Sequence, residues 1–171
     1  MTRSRGLWAF ALAVIAAACS SPRPLADDLD GKPWETQKTL LPSYPKEGNL
    51  IPFNVGPAKP FAFFVDSASV SIGQGGVVRY TLIARSPSAA TNVSYEAIRC
   101  ETYERKVYAF GRSDGTWSQA RNSEWVLIDR SQLNQQLALA NDFFCSPRRV
   151  QTSEEAVQAL VRGGYQPMWI R

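Results

Sequence analysis

The alternation of apolar and polar side chains is clearest in residues 77–85. Successive side chains of a β-strand point to opposite faces of a sheet, so an alternating segment predicts a strand with one apolar face. Four side chains at every second position are expected to face the core: Val78, Tyr80, Leu82 and Ala84. The other face of this strand carries both apolar and polar side chains: Val77, Arg79, Thr81, Ile83 and Arg85. We expect part of this mixed face to be covered.

Turn-forming residues divide the next part of the chain into a meander. Pro87 ends the first strand, because proline has no N–H to donate to the ladder of a sheet. Three more strands are predicted: residues 92–102, residues 105–111, and a last strand made of Trp117 and residues 125–128. Tyr103 and Glu104 form a tight connection between the first two of these. Asp114 and Gly115 form a later turn, in which the glycine suits a positive φ.

The chain before this block is rich in proline. Eight of the eleven prolines lie between residues 20 and 60, and proline interrupts regular structure because it fixes φ and lacks an N–H. Residues 34–60 also hold many apolar side chains, so we expect an extended segment that wraps over the domain and buries them. Residues 61–72 predict one strand, or two short ones broken at Asp66 and Ser67.

Apolar residues three or four positions apart predict two helices after the sheet. Ser131 is the expected N-cap of the first, over residues 132–143; its apolar stripe comprises Leu133, Leu137, Ala140 and Phe144. The second covers residues 154–162, and its stripe comprises Ala156, Val157, Leu160 and Val161. The predicted fold class is therefore α+β: a single antiparallel sheet, a meander of four to six strands, with two C-terminal helices packed on one face.

The first residues predict a secretory signal peptide. Arg3 and Arg5 precede an apolar run over residues 7–18, which gives the basic and apolar regions of such a signal. The run is too short to cross a bilayer, which takes about 20 residues. Removal of residues 1–18 lowers the formal net charge of +4 by two, because both arginines leave with the signal. This modest charge, without a run of like charges, predicts no binding to nucleic acid.

The signal ends in a sequence that resembles a bacterial lipobox. Residues 16–19 read Ala-Ala-Ala-Cys, whereas the strongest form of the pattern begins with leucine. We expect Cys19 to carry the lipid that holds the protein on a membrane; cleavage before it without lipidation is the alternative. Ser20 is typical of lipoproteins sorted to the outer membrane, facing the periplasm, and a soluble periplasmic protein is the alternative. Residues 19–33 predict a flexible tether, and residues 34–171 a single domain.

Cys100 and Cys145 are the remaining cysteines. An exported chain meets an oxidising compartment, where two thiols usually form a disulfide. Closing this loop would restrict the unfolded chain by about 4 kcal/mol in the loop-entropy model. Two buried free cysteines are the alternative. Two cysteines and no histidine make a poor set of metal ligands, so we predict neither a metal nor another cofactor.

Several blocks of this sequence look familiar together: Val65-Asp66-Ser67, VVRYTL from Val77, NVSYEAIRC from Asn92, YAFG from Tyr108, DGTW from Asp114, Trp125 and Cys145. They resemble the cryptic neisserial protein one-like family, small exported lipoproteins of Gram-negative bacteria, and the likeness runs from about residue 34 to residue 145. The resemblance implies a periplasm-facing lipoprotein. It supplies no catalytic residues.

Catalysis has few candidate groups in this chain. The absence of histidine excludes Ser-His-Asp and Cys-His mechanisms. A pair of carboxylates, Asp66 with Glu96, leaves a small periplasmic hydrolase as the alternative function. The competing interpretation is structural: Asp66 would cap a turn, and Glu96 would pair with Arg79 or Arg99 across the sheet.

A non-catalytic module that binds another envelope protein or the cell wall is the preferred interpretation. The candidate surface residues are Asp66, Arg79, Tyr95, Glu96, Arg99 and Trp117. An aromatic patch is a second candidate surface, although aromatic residues on a sheet more often belong to the core: Tyr80, Tyr95, Tyr108, Trp117 and Trp125.

Overall fold

A computed structural model of the chain describes residues 40–56, 60–145 and 149–164. The predicted signal peptide, Cys19 and the tether of residues 19–33 lie outside the described residues. Within the described ranges, no helix is long and apolar enough to cross a membrane.

One antiparallel sheet forms the body of the domain. Its strands are β1 (Leu50–Phe53), β2 (Ala62–Ile72), β3 (Val77–Arg85), β4 (Thr91–Arg99), β5 (Glu104–Gly111), β6 (Trp117–Gln119) and β7 (Val126–Leu127). Strands β1 to β6 follow one another in chain order, and β7 also pairs with β5. The predicted antiparallel meander and the α+β fold class are confirmed.

The predicted fourth strand is present in two pieces on the same edge of β5. Trp117 of β6 pairs with Gly111, and Leu127 of β7 pairs with Glu104. Ala120 still donates its N–H to the carbonyl oxygen of Tyr108, and residues 121–125 leave the ladder between the two pieces. Ser123 Oγ replaces part of the lost pairing, because it donates a hydrogen bond of 2.7 Å to the carbonyl oxygen of Val107.

The proline-rich segment contributes a strand of its own. Residues 50–53 form β1 at the edge of the described sheet, where Pro52 is tolerated because β2 is the one described strand that pairs with β1. Phe53 and Val55 are buried, as expected for a segment that covers apolar surface. This part of the segment is extended and joins the sheet rather than only lying over it.

Strand β2 is continuous but contains a bulge where the sequence indicated a break. Its register against β3 shifts between Asp66 and Ser71. Ser69 Oγ bridges the gap, because it donates to the carbonyl oxygen of Asp66 (2.7 Å) and accepts from the N–H of Thr81 (2.8 Å). A side chain thus satisfies two backbone groups that the bulge removes from the ladder.

Two helices follow the sheet. Helix α1 (Gln135–Ala138) continues as π-helical turns over Leu139–Phe144, and α2 spans Ser153–Val161. The N-cap of α1 is Asn134, which accepts the N–H of Leu137, and not Ser131, which bonds to Asp129.

Two members of the predicted helix stripes are exposed. Leu133 is 58% exposed because it lies before the helix begins. Val161 is 61% exposed at the last residue of α2. The other six predicted stripe residues are buried or partly buried.

The helices pack on one side of the sheet, which we call the helix-covered face. Val78, Tyr80 and Leu82 lie there in one cluster with the helix residues Leu137, Phe144 and Leu160. The ring centroids of Tyr80 and Phe144 are 5.5 Å apart. Val77, Thr81 and Ile83 point to the other side, the opposite face, and are also buried, which confirms that part of this mixed side is covered.

A disulfide joins Cys100, directly after β4, to Cys145, directly after the π-helical turns. This confirms the predicted pairing. The bond therefore fixes the end of the first helical segment against the end of a central strand.

We expect the loss of this bond to weaken the fold. In a Cys19→Ala background, the double variant Cys100→Ser/Cys145→Ser should lower the free energy of unfolding by about 4 kcal/mol, because the unfolded chain regains the entropy of an open 45-residue loop. Denaturant unfolding measures the change, with Cys19→Ala alone as the control. The prediction would be contradicted if the two proteins were equally stable. It would also be contradicted if the control migrated identically on gels run with and without reductant.

Candidate functional site

A cleft of about 490 Å³ opens on the helix-covered face. Its lining comprises Pro60, Phe61, Phe63, Leu82, Ala84, Asn92, Ser94, Glu96 and Gln135. Strands β2 and β3 supply apolar side chains, whereas β4 and the start of α1 supply polar ones. An apolar cleft of this size with a few converging polar groups is typical of sites that bind small molecules.

Glu96 is the acidic group of this lining. It pairs with Tyr80 in the sheet register, which places it on the helix-covered face, and it is 4% exposed. Its Oε1 accepts a hydrogen bond from Ser94 Oγ (2.6 Å), and its Oε2 accepts from Tyr80 (3.3 Å) and from Gln136 Nε2 (3.0 Å). Three neutral donors therefore hold a buried carboxylate at the cleft.

The donors to Oε2 come from the interior. Tyr80 is fully buried, and its pKa is raised well above the usual range by burial first and by the charge of Glu96 second. Its phenol therefore keeps its proton and remains a donor. Gln136 is also buried and reaches Glu96 from α1. The carboxylate thus ties the helix layer to the sheet by hydrogen bonds as well as by apolar packing.

The opposite face carries most of the predicted aromatic patch. Tyr95 lies between Tyr108 and Trp117, with ring centroids 5.6 and 6.3 Å away. Trp117 also contacts Tyr44 and donates its Nε1 hydrogen to the carbonyl oxygen of Pro42 (2.9 Å). Tyr80 is the exception, because it lies in the core beneath the helices.

Arg79 and Arg99 lie on the opposite face as well, since they pair with Ala97 and Val77 in the β3–β4 register. The guanidinium of Arg99 lies 4.1 Å from the ring centroid of Trp125 and forms an ion pair of 3.1 Å with Glu104. The Nε of Arg79 is buried and has no hydrogen-bond partner among the described residues. The predicted pairing of Glu96 with either arginine is wrong, because the sheet separates them.

Asp66 and Glu96 do not form the predicted carboxylate pair. Asp66 pairs with Thr81 and Glu96 pairs with Tyr80, which are neighbours in β3, so the two carboxylates lie on opposite faces. Asp66 accepts the N–H of Ala68 at the bulge, in agreement with the structural interpretation. Burial raises the pKa of Asp66, and the bond from Ala68 acts against this rise.

The structure thus divides the predicted surface residues between two faces. Glu96 alone joins the cleft, whereas Arg79, Tyr95, Arg99 and Trp117 lie together on the opposite face. The sequence interpretation missed the apolar wall of Phe61 and Phe63. The sequence did contain a signal for the position of Glu96. Cys100 must face the helix that carries Cys145. Glu96 precedes Cys100 by four positions in an extended segment, so the two side chains share a face.

The profile of one protein family matches the chain. The CNP1-like family matches residues 29–161, a range that includes the cleft, the disulfide and both helices. Searches of curated proteins and of solved structures gave no match. The family match covers well over half of the chain and agrees with the sequence blocks that resemble the cryptic neisserial protein one-like family. The chain therefore belongs to the CNP1-like family.

Proposed function

We propose that this protein is a non-catalytic binding protein of the bacterial envelope. It is held on the outer membrane by a lipid at Cys19, faces the periplasm, and receives a small ligand or a short segment of an envelope partner in the cleft. The observation that supports this function is the cleft itself, which combines an apolar wall with the buried carboxylate of Glu96.

Export is supported by two independent features. The first residues have the pattern of a secretory signal that ends at Cys19. The disulfide between Cys100 and Cys145 is of the kind that persists in an oxidising compartment and is rare in the cytosol. An anchored protein with a folded domain beyond a polar tether can present a cleft to soluble molecules of the periplasm.

Binding is favoured over hydrolysis by the arrangement of the carboxylates. Among the described lining residues of the cleft, Glu96 is the acidic one, and Asp66 lies across the sheet. Glycoside hydrolysis needs two carboxyl groups on either side of one bond. The cleft supplies one carboxylate together with hydrogen-bonding and apolar contacts, which suits recognition.

Blocking the cleft should abolish binding without affecting the fold. Asn92 is exposed at the lip, so Asn92→Trp would place a large ring in the opening. With the full chain in detergent and ¹³C-labelled methyl groups, small aromatic fragments of different charge should shift the methyl signals of Leu82 and Ala84. The variant should lose these shifts.

The matched control is Gln119→Trp, a substitution by the same residue at an exposed position of β6 that does not line the cleft. It should keep the fragment shifts, and the Val126 methyl groups should not respond in any variant. Fragments that shift no cleft signal, or that bind Asn92→Trp as well as the unchanged protein, would contradict a binding function for the cleft.

The anchor has a separate test. The unchanged protein, expressed in a Gram-negative host, should sediment with outer-membrane vesicles and resist washing in high salt, because acyl chains and not charges hold it. Cys19→Ala should move it to a soluble fraction. Release of the unchanged protein by salt would contradict lipid anchoring, and a Ser21→Ala variant serves as the control that keeps the cysteine.

A further inference from the structure

Glu96 is a buried carboxylate that forms no ion pair with any residue in the described ranges. The ion pairs among the described residues are Arg85–Glu47 and Arg99–Glu104, and neither includes Glu96. Arg105 lies on the same face, opposite Ile98 in the register, and its charge acts on Tyr80 without forming an ion pair with Glu96. A buried charge normally has a partner, because leaving water costs several kcal/mol that an opposite charge offsets.

The two oxygens of Glu96 differ in what they can still accept. Oε2 already receives two hydrogen bonds from buried interior donors, Tyr80 and Gln136. Oε1 receives one, from Ser94, which itself lines the cleft. A carboxylate can accept about four hydrogen bonds, so Oε1 retains capacity beside Ser94, a residue of the cleft lining.

The neighbouring polar groups of the cleft add acceptors. Ser94 directs its proton to Glu96 and so presents oxygen lone pairs to any donor in the cleft. Asn92 and Gln135 lie in the same lining, and each amide can either accept or donate a hydrogen bond. No lysine or arginine belongs to the described lining of this cleft. The carboxylate of Glu96 and the lone pairs of Ser94 therefore suit a group that donates hydrogen bonds and carries a positive charge.

We propose that the cleft binds an ammonium group carried on an apolar body, with the nitrogen at Glu96 Oε1 and the apolar part against Phe61, Phe63 and Leu82. This assignment rests on the proposed binding function of the cleft and adds the chemical class of the ligand. An ammonium has three donors and no acceptor, which matches the acceptors of the site. The charge attraction is strengthened because Glu96 is shielded from water.

Such an ammonium could come from two sources: a free amine, or the N-terminus of a peptide that begins with an apolar residue. Both present the same chemistry to Glu96. The two sources differ in length, since a peptide chain continues beyond the cleft and a free amine ends within it.

Three probes of similar shape and different charge test the assignment: 2-phenylethylammonium, 2-phenylethanol and 3-phenylpropionate. Titration of the full chain, followed by calorimetry and by the methyl signals of Leu82 and Ala84, gives a Kd for each. We expect the ammonium to bind at least tenfold more tightly than the alcohol, and the carboxylate to bind more weakly than the alcohol. Glu96→Gln should bring the ammonium to within twofold of the alcohol, because the variant removes the charge that distinguishes the two probes.

The matched control is Glu104→Gln, which removes a carboxylate from the opposite face and should keep the tenfold preference. If Glu96→Gln does not fold, Ser94→Ala provides the second test: it removes an acceptor beside Glu96 and should reduce the preference for the ammonium at least threefold. Phe-Gly-Gly and its N-acetylated form distinguish the sources. Tighter binding of the free peptide than of 2-phenylethylammonium supports a peptide ligand, and the reverse order supports a free amine.

The outcomes separate the two proposals. Equal affinity for the ammonium and the alcohol, or a preference that Glu96→Gln leaves intact, would overturn the ammonium assignment while the cleft remained a binding site. Failure of all three probes to shift the cleft signals would count against the binding function as well.

Discussion

The contact between Tyr80 and Phe144 is the interaction on which the rest of this structure depends. Tyr80 stands at the centre of the sheet, and its ring packs 5.5 Å from that of Phe144 in the helix layer. The next residue after Phe144 is Cys145, which is bonded to Cys100 at the end of β4. A packed aromatic pair and a covalent bond thus fix the same part of the helix layer to adjacent central strands.

The hydroxyl of Tyr80 connects this core to the cleft. Because the ring is fully buried, its O–H needs a partner, and Glu96 accepts it. Gln136 completes the arrangement from the helix side. A neutral acceptor at position 96, such as glutamine, would also satisfy these two donors and would avoid the cost of burying an unpaired charge. We propose that the carboxylate of Glu96 serves to recognise a ligand in the cleft.

The sequence predicted the architecture well because strong local signals agreed with one another. Alternation identified the two faces of β3, and an oxidising compartment implied the Cys100–Cys145 bond. The prediction of a helix that begins at Ser131 failed because Ser131 serves a local turn with Asp129, while Asn134 provides the cap. Serine and asparagine are both good N-caps, so the residue types alone do not decide between the two positions.

The site was harder to predict than the fold. The pairing of Asp66 with Glu96 depended on the register between strands, which no local pattern contains. The bulge in β2 added to this difficulty. The side chain of Ser69 bonds to the backbone there, and nothing in the sequence distinguishes this serine from other polar residues. The wall of the cleft unites Phe63 with Ser94 from separate strands. Which residues of separate strands are neighbours can be determined only from the pairing and register of the strands in the folded sheet.

A crystal structure of the full chain with 2-phenylethylammonium would test the central claim most directly. The account predicts electron density for the ligand in the cleft, with its nitrogen within about 3 Å of Glu96 Oε1 and its ring against Phe61 and Phe63. A ligand found on the opposite face near Tyr95 and Trp117, or in the cleft with its nitrogen turned away from Glu96 toward solvent, would contradict it.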